Sequence, residues 1–269
     1  MAIVALMSGT QWSNAAAYER YVGRWSLPVA EAFVAALGTS SGLDWLDAGC
    51  GTGALTEVIL TTANPGRVTG VDKSEGYVAH ARDRIGDHRA EFRVGDAQNL
   101  PIGDASIDVA VGGLMLNFVP DPGAAVAELR RVLRPEGIAA AYVWDYAEGM
   151  AMMRTFWDAA IELDPAAAAR DEGRRTTVCD PDTLRDLWRD ADLTDVSTDA
   201  ITVHTVFRDF DDYWTPLLGG QGSVPGYLAS LPAPHQARLR DLIATRLPVE
   251  EDGSIRLTAR AWTVRGRVA

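Results

Sequence analysis

The sequence is poor in cysteine, in positive charge and in long apolar runs, and each shortage closes off a class of function. Only two cysteines occur, Cys50 and Cys179. They supply neither a disulfide framework nor a zinc-ligand spacing, so a reducing, cytoplasmic setting is expected. No stretch approaches the roughly 18 apolar residues that a membrane helix needs. Residues 1–7 are apolar but short and lack a basic flank, unlike a signal peptide; Met7 is an alternative start. Acidic residues (37) outnumber basic ones (25), giving a formal net charge of −12. Such a surface disfavours a phosphate backbone, so no nucleic-acid partner is expected. Also missing are a G-x-S-x-G elbow, a Walker loop and an H-E-x-x-H pair, which removes the common hydrolase, phosphotransferase and zincin readings on signature grounds.

What is present is an alternation of elements. Apolar strands are predicted at 44–47, 67–71, 90–94, 107–112 and 137–144, with helices between them at 54–62, 75–85 and 123–133. That order predicts an α/β fold with a parallel sheet covered by helices on both faces. Ahead of it, residues 12–37 read as a helix, with Tyr18, Tyr21, Val22, Trp25, Val29, Phe33 and Leu37 at three- and four-residue steps. After residue 146 the pattern loosens. Helices are expected at 149–163, 181–191 and 234–247, strands at 196–207 and 255–268, and a loop around Gly219, Gly220, Gly222 and Pro225. A single domain is expected: a helical cap over 1–40, a cofactor-binding core over 41–146, a helical insertion over 147–195, and late strands with a lid over 196–269.

The densest information lies at 44–53, Asp-Trp-Leu-Asp-Ala-Gly-Cys-Gly-Thr-Gly. A strand ends at Asp47, Gly49, Gly51 and Gly53 form a turn, and a helix follows. Glycines allow positive φ and let a ligand approach bare backbone, while a helix start offers free N–H groups. Asp72 ends the second strand 21 residues after Gly51, the placement of a carboxylate that accepts from a ribose diol. Asp96 ends the third strand at the same sheet edge. Three acids on successive strand ends repel a pyrophosphate and tolerate a cationic ligand that carries a ribose. With a G-x-G-x-G spacing, this favours S-adenosylmethionine over NAD, although an NAD-type oxidoreductase or a catalytically silent cofactor-binding module remains the competing reading.

Leu46-Asp-Ala-Gly-Cys-Gly-Thr-Gly53 resembles the first motif of class I S-adenosylmethionine-dependent methyltransferases of the small-molecule, type 11/25-like kind. Val71-Asp72 is similar to that family's ribose acid, and Gly95-Asp96-Ala97 to its adenine contact. Ala127-Glu128-Leu129 through Arg131-Val132-Leu133-Arg134-Pro135 resembles the helix before strand five, with Glu136 where the family usually has glycine. The resemblance implies a Rossmann-like, seven-stranded, mostly parallel sheet. It implies that Asp47 and the glycine turn accompany the methionyl part, that Asp72 holds the ribose, and that Lys73 flanks the adenine. It further implies that Asp96 and Ala97 bind the adenine and that Leu114 and Met115 line the adenosyl region.

An acceptor then needs walls. Trp12, Tyr18, Tyr21, Arg24 and Trp25 crowd the first helix, and Tyr21 and Arg24 are candidates for cofactor or acceptor binding, with Arg24 able to clamp a carboxylate. Core packing is the competing reading for this stretch. A second wall is Trp144, Asp145, Tyr146, Met150, Met152, Met153, Phe156 and Trp157, and Asp145 is a general-base candidate. The third is residues 207–214, read as a lid. Asp211 and Asp212 there fit a helix N-terminus better than a metal site, and no metal is expected. Of four histidines, His80, His88 and His235 read as surface residues; His204, near the sheet edge, is the one catalytic candidate. The expected partner is a small-molecule acceptor, with the oligomeric state and the attacking atom left open.

Overall fold

A computed structural model describes residues 19–219 and 222–269. The chain divides into two compact units. A sheet unit comprises residues 26–143, 178–201 and 261–269; a helical unit comprises residues 144–177 and 202–260 with the segment ending at Trp25. The expected insertion over 147–195 is therefore shared between the two. Trp12, Tyr18 and Gly220 lie outside the described residues.

The first helix, α1 (Arg24–Leu37), buries Val29, Ala30, Phe33, Val34 and Leu37 on one face. Then β1 (Asp44–Ala48), β2 (Arg67–Asp72), β3 (Ala90–Val94), β4 (Ile107–Gly113) and β5 (Leu133–Trp144) follow, with α2 (Ala54–Val58), α3 (Glu75–Arg84) and α4 (Pro122–Val132) between them. The pairings β1–β2, β1–β4, β2–β3 and β4–β5 are all parallel. Residues 45–48, 68–71 and 138–144 are buried without interruption. Strands covered on both faces read as continuous apolar runs rather than alternations, which is why these segments were visible as strands. Caps are placed as the side chains demand. Ser74 accepts from Tyr77 N–H, and Asp121 accepts from Ala124 N–H with Pro122 at the helix start.

Beyond β5 come α5 (Ala151–Leu163), α6 (Glu172–Arg175), α7 (Pro181–Asp190), β6 (Thr194–Phe207), α8 (Phe210–Trp214), α9 (Ser223–Ser230), α10 (Ala233–Arg246) and β7 (Ile255–Arg267). The sheet order is β3-β2-β1-β4-β5-β7-β6, seven strands in all. β7 runs antiparallel to β5: Glu136 N–H donates to Val268 C=O and Val268 N–H to Gly137 C=O. The indole of α7's Trp188 donates to Ala139 C=O at 3.1 Å, fixing that helix on the small residues of β5.

Two expectations needed correction. β5 starts at Leu133 rather than 137, because Pro135-Glu136-Gly137 lies within the strand and Glu136 takes φ +65° where glycine is usual. The loop expected around 219–225 is mostly helical: α9 begins at Ser223, and Pro225 sits in its first turn, where no N–H is required.

Candidate functional site

Each of the three strand ends of the sheet unit carries its acid in a different state. Asp47 is buried, accepting from Thr56 Oγ1 at 2.7 Å through Oδ2, while Oδ1 has no partner. Burial raises its carboxyl to about 7, Thr56 opposes the rise and the charge of Asp72 adds to it. Asp72 is half-buried and ties two loops together. Its Oδ2 accepts from Gly51 N–H at 3.0 Å and its Oδ1 from Ser74 N–H at 2.8 Å. Each oxygen keeps a second lone pair, so the carboxylate can still receive two donors from a ligand. Lys73, the single lysine of the chain, is exposed beside it. Asp96 is exposed and accepts from the backbone and side-chain amides of Gln98.

The glycine turn is shaped for backbone approach. Gly49, Gly51 and Gly53 have φ of +73°, +52° and +86°. A Cβ on Gly49 would lie 2.5 Å from Met115 Cβ, whereas one on Gly51 would meet nothing within 4 Å. Gly49 is thus required by the wall behind the turn, and Gly51 leaves open room in front of it. The N–H groups of Gly49 and Cys50 both donate to Val71 C=O, pinning the turn to β2. No side chain caps α2. Leu114, after β4, holds a left-handed φ of +56° and is half-buried. A leucine in that region costs of order 1 kcal/mol and persists where surroundings over-determine it. The open space over Gly51, the available lone pairs of Asp72 and the partnerless oxygen of Asp47 fit a cationic ribosyl ligand.

Sequence reasoning matched Glu128 and Arg131 to a family helix but gave them no role. Glu128 accepts from Leu100 N–H at 2.7 Å. Arg131 donates to Leu100 C=O, Ile102 C=O, Asp104 and Glu128, and its guanidinium holds the Glu128 carboxyl below the usual range. Gln98 adds a tie by accepting from Asp121 N–H at 2.9 Å. Together they clamp the segment that follows β3 and carries Asp96 and half-buried Ala97. The i, i+3 spacing of an acid and an arginine on α4 was the available signal.

Tyr21, Arg24, Asp145 and His204 belong to the helical unit. Arg24 does not stand free to clamp a ligand carboxylate. Its Nη1 donates to Asp212 Oδ1 at 3.1 Å, and its guanidinium lies 4.5 Å from the Trp25 ring and 4.8 Å from the Phe207 ring. Asp145 is buried in an ion pair with Arg260, whose Nη2 and Nε approach Oδ2 at 2.5 and 2.7 Å; Oδ1 accepts from Glu148 N–H. Both oxygens are engaged, which makes Asp145 a structural anchor and not a free base. His204 is exposed on edge strand β6, on the face opposite buried Thr205 and Phe207. The aromatics of the lid expected at 207–214 pack inward: Phe207, Tyr213 and Trp214 are buried and Tyr213 donates to Met152 C=O at 2.8 Å, while Arg208, Asp209 and Asp211 are exposed. Asp211 and Asp212 occupy the first turn of α8, capped by Asp209, as helix-start acids do. Tyr21 is buried with its hydroxyl unpartnered. Among the described residues no three histidines, cysteines or acids converge as metal ligands, and no helix is long and apolar enough to cross a membrane.

Comparison with known proteins bears on this geometry. Residues 46–141 match the family model described as a methyltransferase domain. A Mycolicibacterium smegmatis protein described as a probable S-adenosylmethionine-dependent methyltransferase is 41% identical over 98 residues, 36% of this chain and 37% of that protein. The malonyl-[acyl-carrier protein] O-methyltransferase of Serratia marcescens is 38% identical over 93 residues, 35% of each chain. The matched stretch thus spans little more than a third of these relatives. In fold, the chain is similar to Haemonchus contortus phosphoethanolamine N-methyltransferase 2 in complex with S-adenosyl-L-methionine, with a TM-score of 0.61 at 16% identity, covering 100% of this chain and 60% of that one.

Proposed function

From the class I S-adenosylmethionine-dependent methyltransferase core that this chain contains, we propose that it transfers a methyl group from S-adenosylmethionine to a small-molecule acceptor. The observation that supports this most is the pairing of a side-chain-free turn at Gly51 with the Asp72 carboxylate, which is bonded to that turn and retains lone pairs for a ribose. When bound, S-adenosylmethionine supplies an electrophilic methyl on a sulfonium centre. The residues then bind and orient. Asp72 takes the ribose hydroxyls, and Asp96 and Ala97 take the adenine beside Lys73. Gly49, Gly51 and Gly53 leave the backbone accessible, Leu114 borders the adenosyl group, and Asp47 adds negative potential below a cationic sulfur. The acidic surface, with a net charge of −12, supports a small acceptor over a nucleic acid. The chain is read as a single methyltransferase domain acting in the cytoplasm.

Calorimetric titration tests this reading. S-adenosylhomocysteine is expected to bind and NAD is not, and Asp72→Ala is expected to weaken S-adenosylhomocysteine by more than tenfold, about 1.4 kcal/mol or more. Binding of NAD in its place would overturn the assignment, and unchanged affinity in the variant would remove Asp72 from the site.

A further inference from the structure

A single side-chain bond closes the base of the glycine turn in the sheet unit. Thr56 Oγ1, on α2, donates at 2.7 Å to Oδ2 of Asp47, on β1, so the bond brackets Gly49, Gly51 and Gly53. Asp47 is 1% exposed, and its Oδ1 has no partner. One oxygen is bonded to a hydroxyl and the other to nothing, so no arginine, lysine or histidine among the described residues is bonded to this acid. Its sheet neighbours, Gly70 on β2 and Val111 on β4, carry no charge. The titratable groups that face it are Asp72, whose charge disfavours a second carboxylate, and Cys50, whose thiol is kept neutral by burial. Cys50 Sγ lies beside Gly70, 3.0 Å from where a Cβ would stand. An ionised carboxylate here lacks solvent, a second donor and a cation, and each deficit favours the protonated form. The carboxyl accordingly sits at about 7 in the ligand-free protein.

What lies over the turn decides which form prevails. A Cβ on Gly51 would meet nothing within 4 Å, and Gly51 N–H donates to Asp72. The open side of the turn and its bordering acid thus share the sheet edge with Asp47. A positive charge seated there favours the carboxylate, and a neutral group does not. S-adenosylmethionine and S-adenosylhomocysteine carry the same adenosine and the same amino-acid end. They differ by one charge, a sulfonium in the first and a neutral thioether in the second. Only an acid poised between its two forms converts that difference into a proton.

We propose that Asp47 senses the sulfonium charge: it gives its proton to solvent when S-adenosylmethionine binds and retains its ligand-free titration when S-adenosylhomocysteine binds, so that the chain distinguishes co-substrate from product. This rests on the methyltransferase reading. The O–H bond of Asp47 breaks, its electron pair stays on oxygen, and the proton leaves to the buffer. Once the sulfur is neutral, Asp47 takes a proton back from solvent and no longer favours the bound molecule. Below its ionisation range the proton must be expelled before the charge can be met, so preference for co-substrate over product strengthens as pH rises.

Calorimetric titration of the full chain with both ligands tests this, at pH 6, 7 and 8 and in buffers of different ionisation enthalpy. At pH 6, S-adenosylmethionine should release roughly one proton more than S-adenosylhomocysteine, and the ratio of their affinities should rise about tenfold between pH 6 and pH 8. Asp47→Asn keeps an acceptor for Thr56 and cannot ionise. In that variant the two ligands should release equal numbers of protons and the ratio should not change with pH. It should bind S-adenosylhomocysteine at pH 6 within about threefold of the parent, which also reports that it folds. Thr56→Val removes the hydrogen bond that favours the charged form, so the rise in the parent's ratio should move to higher pH. The proposal is overturned if the two ligands release equal numbers of protons from the parent, as they would if Asp47 answered the ammonium they share. A ratio that does not change with pH in the parent, or one that keeps the parent's pH-dependence in Asp47→Asn, overturns it too. Failure of both ligands to bind the parent overturns the methyltransferase reading and this proposal with it.

Discussion

Around the strand-end loops of the sheet unit, acids are aimed at backbone; elsewhere that unit too pairs arginines with carboxylates, as Arg134 with Asp44 and Asp108. Asp72 receives two main-chain N–H groups, Asp96 receives that of Gln98, and Glu128 receives that of Leu100. In the helical unit, charged side chains are aimed mainly at one another: Arg24 at Asp212, Arg260 at Asp145, Arg154 at Asp171, Arg246 at Glu162. The first arrangement shapes loops at strand ends and leaves lone pairs for a ligand. The second consumes charge in closed pairs, so that the buried Glu172, which accepts from the Trp157 indole and has no such pair, stands out. The strand-end carboxylates organise loops, whereas the buried carboxylates of Asp145 and Asp171, bonded to arginines, organise a core.

Asp47 departs from that contrast, since its partner is a side chain, and it carries the largest expected effect. Its folded carboxyl is raised from 3.8 to about 7. The stability it contributes is therefore complete below about pH 4 and lost as pH rises through about 7, by on the order of 1 kcal/mol per pH unit. Relative to Asp47→Asn, the ligand-free parent should lose stability across that window in urea titrations. Parallel curves for the two proteins would show that Asp47 is not strained by burial.

The closed pairs of the helical unit are tested by Arg260→Ala. Removing one partner of the buried Asp145 pair should lower unfolding free energy by about 3 kcal/mol, the low end of the usual range because Arg260 is partly open to water. Asp145→Asn combined with Arg260→Ala should recover part of the loss; strictly additive losses would refute the coupling.

Backbone-directed acids are tested by Glu128→Gln. It weakens the clamp on the segment carrying Asp96 without touching a ligand. S-adenosylhomocysteine affinity is expected to fall about three- to tenfold, near 1 kcal/mol, with little change in melting temperature. An equal loss in Asp96→Ala and in Asp96→Ala/Glu128→Gln would show that the clamp acts through Asp96. The smallest effect concerns backbone alone. Glu136 sits at φ +65°, so Glu136→Gly should stabilise by roughly 0.5–1 kcal/mol, the strain relieved less the entropy glycine adds. A loss of stability would mean the Glu136 side chain contributes something its backbone does not.

The same contrast explains what the sequence made legible. Gly49, Gly51, Asp72 and Asp96 stand at fixed distances from strand ends because backbone geometry demands it, so their spacing announces their placement. The buried strands were visible as apolar runs for a similar local reason. The pairs Arg24–Asp212 and Asp145–Arg260 join residues 188 and 115 positions apart, and nothing near Arg24 or Asp145 in sequence reveals the partner. Both residues therefore looked free when they are engaged. Tyr213 and Trp214 were read as lid because aromatics next to acids resemble a surface loop, yet the acids belong to a helix start and the rings face inward. Glu172 drew no notice at all, since a lone glutamate among alanines and arginines carries no local sign of burial.

The amide of Gln98 lies 3.2 and 3.3 Å from the two oxygens of Asp96. A ligand amine that takes the glutamine's place on this carboxylate exchanges one N–H donor for another of similar strength. Such a swap is close to neutral in free energy. In the binding site proposed above, the aspartate would accordingly sort molecules by whether they bring the donor, while the strength of attachment would have to come from elsewhere along the edge.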